Sequence, residues 1–168
     1  RQRQMCIRDS FNGQQDLKKG IIRTPLDPEQ TFMDDPLRMM RAIRFATRFN
    51  FTIEDHTYQA ISKNKDRLNV VSQERITDEF NKIMLAKRPS VGLELLDETG
   101  LLEIFLPEFV ETKGVEQKEK YHHKDVFNHT LEVLDNIAKK SDSINLRLAA
   151  LFHDIGKPKT KRLSLIHI

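Results

Sequence analysis

Four arginines, Arg38, Arg41, Arg44 and Arg48, recur at three- and four-residue intervals directly behind Asp34, Asp35 and Pro36. At about 100° per residue they share one arc of a helix with Phe45, while Met39, Ala42, Ile43 and Ala46 occupy the opposite face. No acid lies between Leu37 and Asn50 to relieve the like charges, each such pair costing roughly 0.2–0.5 kcal/mol. Either the face is solvated, with Asp35 as the cap and Pro36 at the first helical position, or a ligand brings the missing counter-charge. Arginine only donates and carboxylate only accepts, so Asp35 and Arg38, three apart, could present an acceptor beside donors. Such a pair complements an amino group next to a ring nitrogen, which cytosine and adenine carry and uracil and guanine do not. Arg41 and Arg44 would then lie nearer a triphosphate.

The histidines offer a second chemistry. "NHTLEVLDNIA" puts His129 near the start of an apolar-faced helix, and "RLAALFHDIGK" ends another with His153 beside Asp154. Two packed helices could bring two imidazoles and a carboxylate to one point, a donor set that suits a divalent transition metal or magnesium. The alternative is a core hydrogen-bond pair of His153 with Asp154. His122 and His123 precede the helix and match no ligand position.

The elements that must position these groups are read from composition and periodicity. The chain has 168 residues, 38% hydrophobic and 32% charged, enough for one modest core or two small ones. No apolar run approaches the ~20 residues that cross a bilayer, and the N-terminus lacks a secretory pattern. The single cysteine, Cys6, excludes an internal disulfide and a cysteine-based zinc site, and with the rest points to the cytoplasm. A net charge of +3, with ten Lys/Arg against six Asp/Glu in residues 1–50, permits a nucleic-acid partner without requiring one. "FNGQQDLKKGII" reads as a turn and short hairpin, Pro25 and Pro28 as a linker, and the chain from Asp34 onward as almost wholly helical. Ser72 is expected to cap a helix through Ala86. Pro89 opens one that stops at Gly100, and Pro107 ends a short apolar one. "ERITDEF" holds the i,i+4 pairs Glu74/Asp78 and Arg75/Glu79, the second an ordinary surface ion pair. The charged stretch Glu111 to Asp125 is expected to be a loop or domain junction. Val126 to Ala138 and Asn145 to Asp154 read as two more helices, the last stopped at Gly156 and Pro158.

Several of these stretches resemble known motifs. "DDPLRMMRAIRF" resembles the nucleobase-selecting motif of class II tRNA nucleotidyltransferases, the CCA-adding enzymes, and of the bacterial poly(A) polymerases similar to them. "FNGQQDL" resembles the turn motif late in their catalytic head, and "ERITDEFNKIM" the helix motif that braces their neck. The resemblance implies that Asp35, Arg38, Arg41 and Arg44 contact the incoming nucleotide. The family's Gly-Gly loop, its magnesium-binding aspartates and a further arginine motif precede the "FNG" turn and lie outside this chain, so the chain alone is expected not to catalyse. "HT" followed 24 positions later by "HDIGKP" resembles the HD phosphohydrolase domain. It implies His129, His153 and Asp154 as ligands of a divalent metal, with a last aspartate beyond the chain's end. In one branch of CCA-adding enzymes such a domain resembles a 2′,3′-cyclic phosphodiesterase and phosphatase module.

The implied fold is mainly α: a short β remnant of the head at residues 1–24, a helical neck binding RNA and nucleotide at 25–112, and the first half of an HD domain at 113–162. Residues 1–10 and 163–168 resemble translated adapter sequence. The implied function is addition of C and A to tRNA 3′ ends, with tRNA, ATP and CTP as partners and no membrane. The alternatives are a poly(A) polymerase using the same helix for ATP only, and a metal-dependent HD phosphohydrolase whose neck merely binds RNA.

Overall fold

The computed structural model describes residues 12–119 and 122–164, so the adapter-like residues 1–10 and 165–168 lie outside the described residues. Helix α1 (Gly13–Lys19) replaces the expected hairpin arm, and Gly20 ends it at φ 69°, a conformation glycine adopts without a Cβ penalty. Strand β1 (Ile21–Ile22) does form, but its partner is β2 (Thr52–Ile53), parallel and thirty-one residues away in register, Ile21 opposite Thr52. A two-residue strand carries no sequence mark of its partner. Asp27 accepts from the Gln30 N–H at 3.0 Å and, with Pro28 in the first turn, starts helix α2 (Pro28–Asp34) where a linker was expected.

Asp35 is extended (φ −144°, ψ 95°) because the ring of Pro36 disfavours the helical conformation before it. Helix α3 (Leu37–Phe49) therefore opens one residue later than expected, with Asp35 Oδ1 accepting from the Leu37 N–H at 3.3 Å. Asn50, left-handed at φ 55°, closes it. Then follow α4 (Asp55–Asn64), a 3₁₀ turn (Lys65–Val70), α5 (Gln73–Met84), α6 (Pro89–Glu98), α7 (Leu101–Phe105) and α8 (Pro107–Val110). Ser72 sits at the α5 cap position but makes no capping hydrogen bond. Pro107 starts α8 as well as ending α7, as a residue that needs no helical N–H can.

Residues 111–125 are not all loop: β3 (Glu116–Glu119) and β4 (His122–Asp125) pair antiparallel. Helix α9 (Val126–Ala138) is as expected, and α10 (Ile144–Phe152) ends two residues early. A further helix, α11 (Lys157–Ser164), follows Gly156 instead of a stop, with Pro158 in its first turn, where proline is tolerated.

The core is one cluster, not two. Met39, Ala42, Ile43 and Ala46 are buried as their spacing requires, and Phe32, Leu68, Ile83, Leu93 and Leu96 join them to Phe109, Phe127, Leu131 and Leu151. Helix α3 packs on α5 and α6, α6 on α9, and α9 on α10, which returns to α5. Gly92, inside α6, makes the closest crossing. A Cβ there would collide with Ile83 Cγ2 and stand 2.8 Å from Thr47 Oγ1.

Candidate functional site

The outer face of α3 carries the arginine stripe, and its acceptor sits at its mouth. Arg38 Nε lies 3.9 Å from Asp35 Oδ2, close enough to present both to one ligand edge and too far to be consumed by a hydrogen bond. Asp35 has a second cation, Arg75 of α5, at 3.6 Å. The counter-charge that α3 itself lacks comes from the same neighbour. Glu79 of α5, 3% exposed, places Oε1 3.6 Å from Arg41 Nε and Oε2 2.8 Å from Arg44 Nη1. Lys82, one turn on, approaches Glu79 at 3.3 Å and Asp78 at 2.6 Å. The Asp78 hydrogen bond raises the Lys82 ammonium above its usual range, against an opposing effect of burial and with help from Glu79.

Arg75 and Glu79 thus do not form the surface pair their spacing suggested. Both reach across to α3, one turn apart, an acid to the arginines and an arginine to the acid. The sequence signal was there: a lone carboxylate at the apolar side of an amphipathic helix, next to Phe80. Arg48, last in the stripe, lies with its guanidinium 5.8 Å over the Phe49 ring.

The second cluster lies where α9 and α10 meet. Asp125 accepts from the Asn128 N–H at 2.9 Å and from the Gly114 N–H at 3.1 Å, tying the start of α9 to the preceding turn and so setting His129. One ligand atom each from His129, His153 and Asp154 falls within 4.8 Å of the others, the one such group among the described residues. His153 Nδ1 is 2.6 Å from Ala150 O, and since a carbonyl only accepts, Nδ1 carries the proton. His153 Nε2 then stands 3.0 Å from Asp154 Oδ2. In the neutral ring that is a lone pair facing a carboxylate oxygen, an arrangement a cation would relieve. Lys157 Nζ lies 2.6 Å from the same Oδ2. The donor set, oriented by a backbone carbonyl behind the ring, fits a divalent metal.

Comparison with known proteins follows these two sites. Residues 50–112 match the family described as the probable RNA and SrmB-binding site of polymerase A, and residues 126–167 match the HD domain. An A-adding tRNA nucleotidyltransferase of Deinococcus radiodurans is 37% identical over 159 residues, spanning 90% of this chain and 36% of that protein. A multifunctional CCA protein of Neisseria gonorrhoeae is 38% identical over 157 residues, spanning 92% of this chain and 38% of that protein. Along nine-tenths of its length, 90% against the first of these relatives, the chain is similar to tRNA nucleotidyltransferases.

The chain spans little more than a third of the length of the curated relatives it matches. Among solved structures, the Bacillus stearothermophilus CCA-adding enzyme in complex with CTP superposes with a TM-score of 0.60 at 28% identity, covering 87% of this chain and 41% of that one. The RNA-binding match begins immediately after α3, so the arginine stripe lies just outside it. The HD match and the likeness to nucleotidyltransferases imply dependence on a divalent metal. No helix among the described residues is long and apolar enough to cross a membrane.

One residue with no place in the sequence reading is Arg147 of α10, 1% exposed. Its guanidinium donates to Met84 O (2.6 Å), Ala86 O (2.7 Å), Ser141 O (3.0 Å) and Ala138 O (3.3 Å), and to Asp142 Oδ1 (3.0 Å). It rivets the ends of α5 and α9 to α10. A single charged residue inside "NLRLAALF" was its signal.

Proposed function

We propose that this chain is the neck and the first half of the HD domain of a cytoplasmic enzyme that adds C and A to tRNA 3′ ends, with residues 25–112 as neck and 113–162 as HD half. The observation that carries the reading is the face of α3: Asp35 beside Arg38 at 3.9 Å, with Arg41 and Arg44 one and two turns further along. Asp35 accepts from the base amino group and Arg38 donates to the ring nitrogen. Arg41 brings positive charge to the triphosphate, with Arg44 behind it against Glu79. Attack of the tRNA 3′-hydroxyl on the α-phosphate, breaking the α–β bond and releasing pyrophosphate, would fall to a catalytic head whose carboxylates would hold magnesium. Support comes from the relatives' names, which specify tRNA and CCA, and from the neighbour solved with CTP. The two relatives, one A-adding and one a CCA protein, are equally similar, so both additions stay within the reading.

The test is equilibrium binding of ATP, CTP, GTP and UTP to the chain. ATP and CTP are expected to bind about tenfold or more tighter than the other two, since a bidentate base contact discriminates by roughly 1–3 kcal/mol. Equal binding of all four would refute the template. Binding of ATP alone would favour a poly(A) polymerase or an A-adding enzyme.

A second reading rests on the His129, His153 and Asp154 cluster: a metal-dependent phosphohydrolase activity beside the first. There the three side chains would hold the metal, which would supply activation of water for hydrolysis of a phosphate ester. His153 is kept in register by Ala150 O. Magnesium, manganese and zinc all suit the donors, and metal-dependent hydrolysis of a 2′,3′-cyclic phosphate distinguishes this reading from a site that only folds.

A further inference from the structure

Glu79 is the point at which the arginine stripe ceases to be uniform. Arg44 reaches its carboxylate at 2.8 Å with its side chain 15% exposed, whereas Arg41 stands at 3.6 Å and is 44% exposed. Arg38, at 48%, stands 3.9 Å from Asp35. Arg44 is also held from outside, its guanidinium 4.3 Å over the Phe45 ring. Its Nε and Glu79 Oε2 are buried with no hydrogen bond, so the contact between them is electrostatic and not the paired fork of a bidentate bridge. A buried carboxylate with cations on three sides cannot be given up without a large desolvation penalty, so it retains at least its nearest partner. The loosest partner is the one a ligand can take.

We propose that Glu79 is a positioning residue that divides the stripe into two kinds of arginine. It fixes Arg44 as part of the scaffold and leaves Arg41, with Arg38, as the guanidiniums that turn to the nucleotide; this rests on the nucleotide-binding reading of α3. Arg75, one turn before Glu79 on α5, does the same for Asp35, holding the acceptor 3.6 Å away while Arg38 stays free. The triphosphate then meets Arg41 and not Arg44, because moving Arg44 would strand Glu79 among Phe80, Ile83 and the α3 core. Arg44 shapes the site through Glu79 and does not touch the phosphates.

The test reads arginine Nε–H resonances of the ¹⁵N-labelled chain, first free and then titrated with sodium tripolyphosphate and with ATP. In the free chain, the Arg44 order parameter is expected near the rigid value of about 0.85 and that of Arg41 below about 0.6. In Glu79→Gln, Arg44 is expected to become as mobile as Arg41. Tripolyphosphate is expected to shift Arg41 and leave Arg44 in place. Equal mobility of the two arginines in the unsubstituted chain, an Arg44 that stays rigid in Glu79→Gln, or a tripolyphosphate shift led by Arg44 would each overturn the proposal. Should Glu79→Gln fail to fold, Glu79→Asp, which keeps the charge and shortens the reach, is expected to free Arg44 in its place. A rigid Arg44 there also counts against it. No shift at any arginine would refute the nucleotide reading, while the mobility comparison would still decide what Glu79 holds.

Discussion

Glu79 and Arg147 are the two charged residues buried among the described residues, and they are satisfied in opposite ways. Arg147 spends its donors on backbone carbonyls of α5, α9 and the turn before α10, partners that cannot move without unwinding helix ends. Glu79 is met only by side chains, Arg41, Arg44 and Lys82, and one of its oxygens has no hydrogen bond. Backbone partners make a rivet. Side-chain partners make an arrangement that a ligand can redistribute, since each long cation can leave at the cost of one contact. Glu79 lies within α5 and Arg147 binds its last carbonyl, so the same helix is pinned at its C-terminal end and adjustable along the face turned to α3.

That contrast breaks first at Arg147. Arg147→Leu leaves the buried carbonyls of Met84 and Ala86 unpaired, each costing about 1–3 kcal/mol, so a loss of about 3–5 kcal/mol and a melting temperature roughly 10 °C lower are expected in thermal denaturation. A change within a degree would mean the rivet is idle. His153→Ala tests a third polar group, one built to meet a metal: affinity for manganese or zinc, measured as metal retained after dialysis, is expected to fall about 100-fold or more as a ligand is lost. Equal metal in both proteins would leave His153 and Asp154 as a hydrogen-bond pair.

On the adjustable side, Asp35→Ala is expected to cost the preference for ATP and CTP over GTP and UTP about tenfold, while stability changes by no more than about 0.5 kcal/mol, because Asp35 is partly exposed and its partners stay solvated. A stability loss like that of Arg147→Leu would erase the distinction between the two regions. The smallest effect is expected at Glu94, whose carboxyl is raised above its usual range by burial, with Glu98 and Asp135 adding to the rise and Arg88 opposing it. A carboxylate with a raised folded-state pKa binds its proton more tightly in the native state, so its contribution is favourable in acid and is lost as pH rises through that pKa. Glu94→Gln should therefore melt slightly higher than the unsubstituted chain at pH 7 and equal to it near pH 3.5. A difference that persists in acid would point to packing.

Much of this was legible from residue spacing. The apolar face of α3, the opposite arc of arginines, the bounds of α9 and the convergence of His129, His153 and Asp154 follow from 3.6-residue periodicity and short-range chemistry, and the structure places them as read. The misreadings share a cause. Arg75 and Glu79 looked like an i,i+4 surface pair because helical geometry makes them neighbours, yet Arg75 pairs with Asp35 just before α3 and Glu79 with Arg41 and Arg44 on it. Ile21–Ile22 looked like half of a hairpin because local pairing is the commonest kind, yet its mate is Thr52–Ile53.

By itself the sequence determined which residues could do chemistry and on which face of which helix they stand, because periodicity and donor type are local properties of the chain. Only the tertiary structure decided which of those charges are already spoken for. Counter-charge comes from whatever packs alongside, and no spacing within α3 announces that Glu79 of α5 will be buried against it. The same holds for the core, which composition left open as one or two: α6 touches both α3 and α9, with Gly92 permitting the close crossing on the α3 side, and the two halves share one interior.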